Sequence, residues 1–207
     1  MNCSHLVDRR LLTVLAALLF AAACAIPPEL HRSGLGTSIG YRRMRGSAYS
    51  GLNDTFLLRF DGDTRPEGWP LWLSTGLGLG HISHEVNDST CFLLWCTEPT
   101  TLTTTSVEFD LGVRRWAAFA GHPVHFFVGA GGALVYGDTD HYLGNHAKTG
   151  DTANALGVYV EGGLELPTTS GAVGLQARAF RGESTTMFGA PSDNDLDEIM
   201  LFWALRW

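Results

Sequence analysis

The chain has 207 residues, 25 of them glycine, and a net charge of −7 from 14 basic and 21 acidic side chains, a size that suits one domain around one core. Lys148 is the only lysine and the arginines are scattered along the chain. Without a basic stripe to follow a phosphate backbone, nucleic-acid binding is excluded as a function class.

The chain opens on Arg9 and Arg10 followed by LLTVLAALLFAAACA, a basic start, an apolar run too short to span a bilayer, and small residues where a signal peptidase cuts. Residues 1–25 therefore read as a secretory signal peptide, with cleavage after Ala25 in the small-x-small pattern Ala23-Cys24-Ala25. The run Ala21-Ala22-Ala23-Cys24 is also a loose lipoprotein box, which makes processing at Cys24 the alternative. Residues 26–207 are left as one exported domain, still acidic. Cys91 and Cys96 frame the apolar loop CFLLWC, and in an oxidising compartment they are predicted to pair as a loop staple. The spacing has no second cysteine or histidine cluster beside it, so it does not describe a metal site.

Past residue 25 no helical period of useful length occurs, whereas successive segments alternate at period two. The pattern predicts strands near 34–45, 54–61, 71–84, 104–116, 124–137, 153–166, 171–182 and 196–207, each about as long as a tilted membrane-crossing strand needs. Between the second and third lies DGDTRPEGWP, between the fourth and fifth AGHPV, and between the sixth and seventh PTTSG, all compact and rich in turn residues. Most alternate connections are longer: HEVNDSTCFLLWCTEPTTLT, GDTDHYLGNHAKTGDT and GESTTMFGAPSDNDLD. Short ends and long ends take turns, the asymmetry of a barrel with tight turns on one side of a membrane and long loops on the other.

One parity of every strand is apolar, as in Leu35, Ile39 and Tyr41, or Val107, Phe109, Leu111 and Val113. The other mixes glycine with Arg42, Arg59, Arg114, Arg178 and Arg206, and with Glu108, Asp110, Glu161, Glu165 and Glu198. A glycine-rich face of balanced charges fits the inside of a narrow barrel, where side chains have little room and buried charges must be paired. The fold class is then all-β, a closed antiparallel up-and-down transmembrane β-barrel of about eight strands. If PTTSG centres a hairpin, Glu161 lies opposite Arg178, and an ion pair is predicted between them.

The chain ends on EIMLFWALRW, alternating and finishing on an aromatic. This resembles the C-terminal strand that the outer-membrane barrel-assembly machinery recognises, with Trp203, Leu205 and Trp207 as the signal. With the leader and the strand pattern, the whole exported chain resembles the small outer-membrane barrels of the OmpA/OmpX and opacity type, barrel domain only. The resemblance implies a bacterial outer-membrane location, contact with outer-membrane lipid and lipopolysaccharide, and no cofactor.

The sharpest local pattern is His81-Ile82-Ser83-His84-Glu85, where His81 and Ser83 share the apolar parity near a strand end. Outer-membrane lipid A deacylases likewise carry a His-x-Ser pair on the barrel exterior with a glutamate nearby, and a histidine can activate a serine for acyl transfer. This chain departs from them: their pair lies on the penultimate strand, which here reads GLQARAFRGES, and only Glu198 on the last strand corresponds, in rough position. A palmitoyltransferase-like barrel would open on an amphipathic helix, and IPPELHRSG is too short and proline-rich for one. His141 and His146 with Asp138 and Asp140 lack defined ligand spacing, and no metal is assigned. The leading expectation is a non-enzymatic surface protein whose outer loops meet lipopolysaccharide, host or envelope proteins. A lipid A acyl hydrolase and a narrow solute pore are the alternatives.

Overall fold

The computed structural model describes residues 32–44, 54–86, 91–92, 95–96, 100–118, 122–143, 147–183, 185–187, 190–192 and 195–207. Twelve strands occur among them. Eight form the wall: β1 (Ser33–Met44), β2 (Asp54–Thr64), β3 (Trp72–Val86), β6 (Thr100–Ala118), β7 (His125–Leu143), β8 (Ala147–Thr168), β9 (Gly171–Gly182) and β12 (Leu196–Arg206). The others make two small hairpins, β4 (Cys91–Phe92) with β5 (Trp95–Cys96) and β10 (Thr185–Met187) with β11 (Ala190–Ser192). The leader, Cys24 and His146 lie outside the described residues.

The wall is a closed barrel in which every strand pairs antiparallel with its chain neighbour and β1 closes on β12. Closure satisfies backbone groups that lipid cannot satisfy. It is sealed by Trp207, whose N–H donates to the Ser33 carbonyl at 3.0 Å while its own carbonyl accepts from Ser33 at 2.8 Å. Alternation at period two sorts the side chains. Leu35, Ile39, Phe56, Phe109, Leu111, Leu156, Val158, Leu175, Ile199 and Leu201 are exposed on the outside, while Arg42, Arg59, Glu108 and Glu198 are buried inside. That inversion of the soluble pattern makes the fold a transmembrane barrel.

All eight predicted wall strands are present; β2 runs three residues past its predicted end to Thr64 and β3 two residues past its own to Val86, and three strands are much longer than the sequence reading. β6 and β7 each have 19 residues and β8 has 22. The segment GDTDHYLGNHAKTGDT, read as a loop, continues the β7–β8 ladder from Asp138 opposite Thr152 to Leu143 opposite Ala147. β6 follows it upward, Thr100 facing Leu143 and Val86 of β3 facing Thr100. Threonine explains the extension, because TTLTTTS has high strand propensity although it is polar on both faces. On one side, then, four adjacent strands stand past the apolar belt as a sheet.

Candidate functional site

The interior is built from side chains of the inward parity in three layers. Nearest the short turns, Trp72, Trp116, Phe127, Phe202 and Ala204 pack together, with the Trp116 and Phe127 rings 4.6 Å apart. Toward the other end, Ala133, Tyr159, Phe180 and Leu196 form a second apolar cluster that Ile82, Val135 and Ala153 partly cover. Charges fill the space between. These inward aromatics carry neither of the two sequence signals of the interior, charge and glycine, yet each shares the parity of the charged residues and glycines of its strand. Their room comes from glycine: a Cβ on Gly112 would collide with the Tyr159 hydroxyl, and one on Gly163 would lie 2.5 Å from the Phe127 ring.

Glu108 is the hub of the charged layer, accepting from the guanidinium groups of Arg42, Arg59 and Arg178. Arg42 also donates through Nε to Glu198 at 2.7 Å, and Arg59 donates to Asp61 at 2.9 Å and to Asp110 at 2.5 Å. One step nearer the short turns, Arg114 clasps Glu161 with Nε at 2.5 Å and Nη2 at 3.1 Å, and Gln176 adds a third donor at 2.7 Å. At the mouth Arg206 bridges Asp63 at 2.8 Å and Glu165 at 2.6 Å. Ion pairs this far from water need such multiple donors to offset desolvation. Three of the arginines also lie over rings, Arg178 over Tyr159 at 4.0 Å, Arg206 over Trp116 at 4.9 Å and Arg114 over Phe127 at 5.1 Å.

Two corrections follow. Glu161 and Arg178 are cross-strand partners in register, but Glu161 is held by Arg114, and Arg178 turns to Glu108 and, at 3.4 Å, to Glu198. The layer is also not balanced five against five. Asp61, at the end of the predicted strand 54–61, and Asp63, placed in the connection after it, share the inward parity of Arg59 and join the network, so seven carboxylates meet five guanidinium groups, with His125 Nδ1 at 3.7 Å from Glu165 as a further partner. The void bordered by Asp61, Asp63, Arg114, Gln176 and Arg206 measures about 10 Å³, room for about one water.

On the exterior, His81 and Ser83 are exposed, but each bonds across to β6 rather than to the other. His81 Nδ1 lies 3.3 Å from the Thr105 hydroxyl and Ser83 Oγ 3.3 Å from the Thr103 hydroxyl. Glu198 does not join them. It points inward on β12, buried against Arg42 and Arg178, while β12 lies between β1 and β9, and β3 between β2 and β6. Its parity already forbade the role, since the pair on β3 has the lipid-facing parity. The backbone sets Cys91 opposite Cys96 in the β4–β5 hairpin. Asp138 and Asp140 take places on the upper β7 ladder. Trp203, Leu205 and Trp207 are exposed on the outer face of β12 and just beyond it.

No protein-family model and no curated protein matches the chain. Solved structures do. Neisserial surface protein A aligns at 12% identity with a TM-score of 0.53, over 84% of this chain and 97% of that one. A major outer membrane protein from Thermus thermophilus aligns at 13% identity and 0.52, over 86% and 100%. Ail, the attachment invasion locus protein of Yersinia pestis, solved with the heparin analogue sucrose octasulfate, aligns at 6% identity and 0.50, over 85% and 99%. At these identities the likeness is one of fold. The class defined by the closed wall, apolar exterior and charged interior is the small eight-stranded barrel of bacterial outer membranes.

Proposed function

We propose that this protein is a non-enzymatic outer-membrane barrel that holds an interaction surface outside the cell. The observation that carries the reading is the sheet formed by the upper parts of β3, β6, β7 and β8, which continues past the apolar belt in register to Leu143 and Ala147. A filled barrel below it is a rigid mount, and rigid scaffolds place binding in their loops. Residues 1–25 serve as the export signal, Cys91 and Cys96 staple the loop between β3 and β6, and Trp203, Leu205 and Trp207 are read by the assembly machinery. Partners are lipopolysaccharide and host or envelope molecules; Ail, of the same fold, has been solved with a heparin analogue.

The test is replacement of residues 87–99 by a short Gly-Ser linker. Binding to lipopolysaccharide or host cells is expected to fall to background while the heat-dependent gel shift of the folded barrel persists; undiminished binding would overturn this loop as the contact. A deacylase reading has less support, because the exterior pair His81 and Ser83 has threonine partners and Glu198 faces the other way. Unchanged lipid A in the mass spectrum of expressing cells is the expected outcome.

A further inference from the structure

The protruding sheet has two faces with different surroundings. Its inner face is occupied: Thr104 and Thr139 are buried with their hydroxyls 3.0 Å apart, and Ile82, Val135 and Ala153 lie over the upper apolar cluster. Its outer face continues, in register and at the same parity, the wall that meets lipid. Leu79, Val107 and Tyr136 make one cross-strand row of that wall. The row above it is His81, Thr105, Asp138 and Thr152, and the next is Ser83, Thr103, Asp140 and Gly150. Exposure agrees with parity, since His81, Ser83, Thr105 and Thr152 are exposed and Thr103, Asp138 and Asp140 half-buried.

Depth follows from the strands. Successive rows are two residues apart, about 7 Å along the chain and less along the membrane normal because strands tilt. The first polar row therefore stands at headgroup level and the second above it, where among outer-leaflet lipids the sugars of lipopolysaccharide continue upward.

Chemistry narrows the contact. Neither polar row has an arginine or lysine, and Asp138 and Asp140 would repel phosphate. What the rows offer is hydroxyls, each able to donate and to accept, and carboxylates that accept charge-assisted hydrogen bonds from sugar hydroxyls. The array is held in place, with His81 Nδ1 3.3 Å from the Thr105 hydroxyl and Ser83 Oγ 3.3 Å from the Thr103 hydroxyl, and threonine, branched at Cβ, has few rotamers to lose. Gly150 keeps the space beside Asp140 open, for a Cβ there would lie 3.0 Å from Asp140 Oδ1. Tyr136, exposed one row below, brings the amphipathic ring that suits this boundary.

We propose that this outward face binds the core saccharide of a neighbouring lipopolysaccharide through its hydroxyl groups rather than its phosphates, adding sugar selectivity to the contact made by the loop above. The assignment rests on the outer-membrane interaction surface proposed above, and it gives the His81 and Ser83 pattern a binding role in place of a catalytic one.

The experiment is native mass spectrometry of the protein released from nanodiscs that hold equal amounts of a complete-core and a deep-rough lipopolysaccharide with the same lipid A, so that acyl contacts cancel. The wild type is expected to retain the complete-core form roughly tenfold over the deep-rough form, as one or two surface hydrogen bonds allow, and to keep that preference when both are dephosphorylated. Thr103→Val with Thr105→Val preserves shape and strand propensity and should retain the two forms equally. Four results would overturn the site: no preference in the wild type, a preference unchanged in the valine variant, a preference lost on dephosphorylation, or displacement of the complete-core form by an equal concentration of free core oligosaccharide, which would make the ligand a soluble glycan. Retention of neither lipopolysaccharide by a wild type that keeps its heat-dependent gel shift would instead overturn the surface reading itself.

Discussion

At the scale of single residues, the network distributes its dependence unevenly. Glu108 serves three arginines out of reach of solvent, so Glu108→Gln leaves three guanidinium groups short of one charge. The expected cost is about 3–5 kcal/mol, the range for breaking a buried ion pair, measured as a lowered urea midpoint of the barrel in lipid vesicles. Asp63 is bridged by Arg206, and that arginine keeps Glu165. With carboxylates already in excess, Asp63→Asn should cost only about 1 kcal/mol. Equal losses in the two variants would show that the hub is not a hub. Glycines divide the same way. A methyl at Gly163 meets the Phe127 ring and the Leu175 carbonyl at 2.5 Å, and Gly163→Ala should cost about 1–3 kcal/mol through overpacking. At Gly68, with φ of +78° and open space around it, Gly68→Ala meets only the left-handed backbone penalty, about 1 kcal/mol.

At the scale of elements, the strands were legible wherever one face meets lipid, because hydrocarbon enforces strict alternation over the length of the belt. They were illegible above it. Thr101, Thr103 and Thr105 take the same exterior parity as Val107, but nothing apolar marks the row, so the ladder of β6, β7 and β8 read as loops. The same physics predicts that the upper hairpin is dispensable to the barrel. Replacing residues 140–150 by Asn-Gly would close Thr139 and Asp151, already cross-strand partners, with the two-residue turn that suits strand twist. The buried Thr104–Thr139 hydroxyl contact at 3.0 Å survives the change. The urea midpoint should then correspond to a stability within about 0.5 kcal/mol of the wild type, with binding lost if the upper sheet is part of the contact surface. A collapse of stability would show that the protruding sheet supports the wall.

For the whole molecule, parity fixed which residues face inward, but their pairing belongs to three dimensions. Arg114 and Glu161 are on β6 and β8, separated by β7, and they meet only because Gly129 of β7 lies between them without a side chain: a Cβ there would be 2.7 Å from Glu161 and 3.0 Å from Arg114. No hairpin rule finds a pair that reaches over a strand, which is why register pointed to Arg178 instead. The result is three stacked closures, an aromatic layer, a charged layer and a second apolar layer, and series closures predict conduction differently from a single gate. The wild type should show no step conductance in planar bilayers. Thinning the charged layer alone, by Arg114→Ala with Glu161→Ala, should still give none, because the Glu108 cluster stays, Trp116, Phe127 and Phe202 block one side and Tyr159 and Phe180 the other. Conductance is expected only when all three layers are thinned together, with Glu108→Ala, Phe127→Ala, Phe202→Ala and Tyr159→Ala added, in whatever fraction still shows the heat-dependent gel shift. Steps in the wild type would make the barrel a pore, and steps in the charge variant alone would mean that the aromatic layers leave a path for ions.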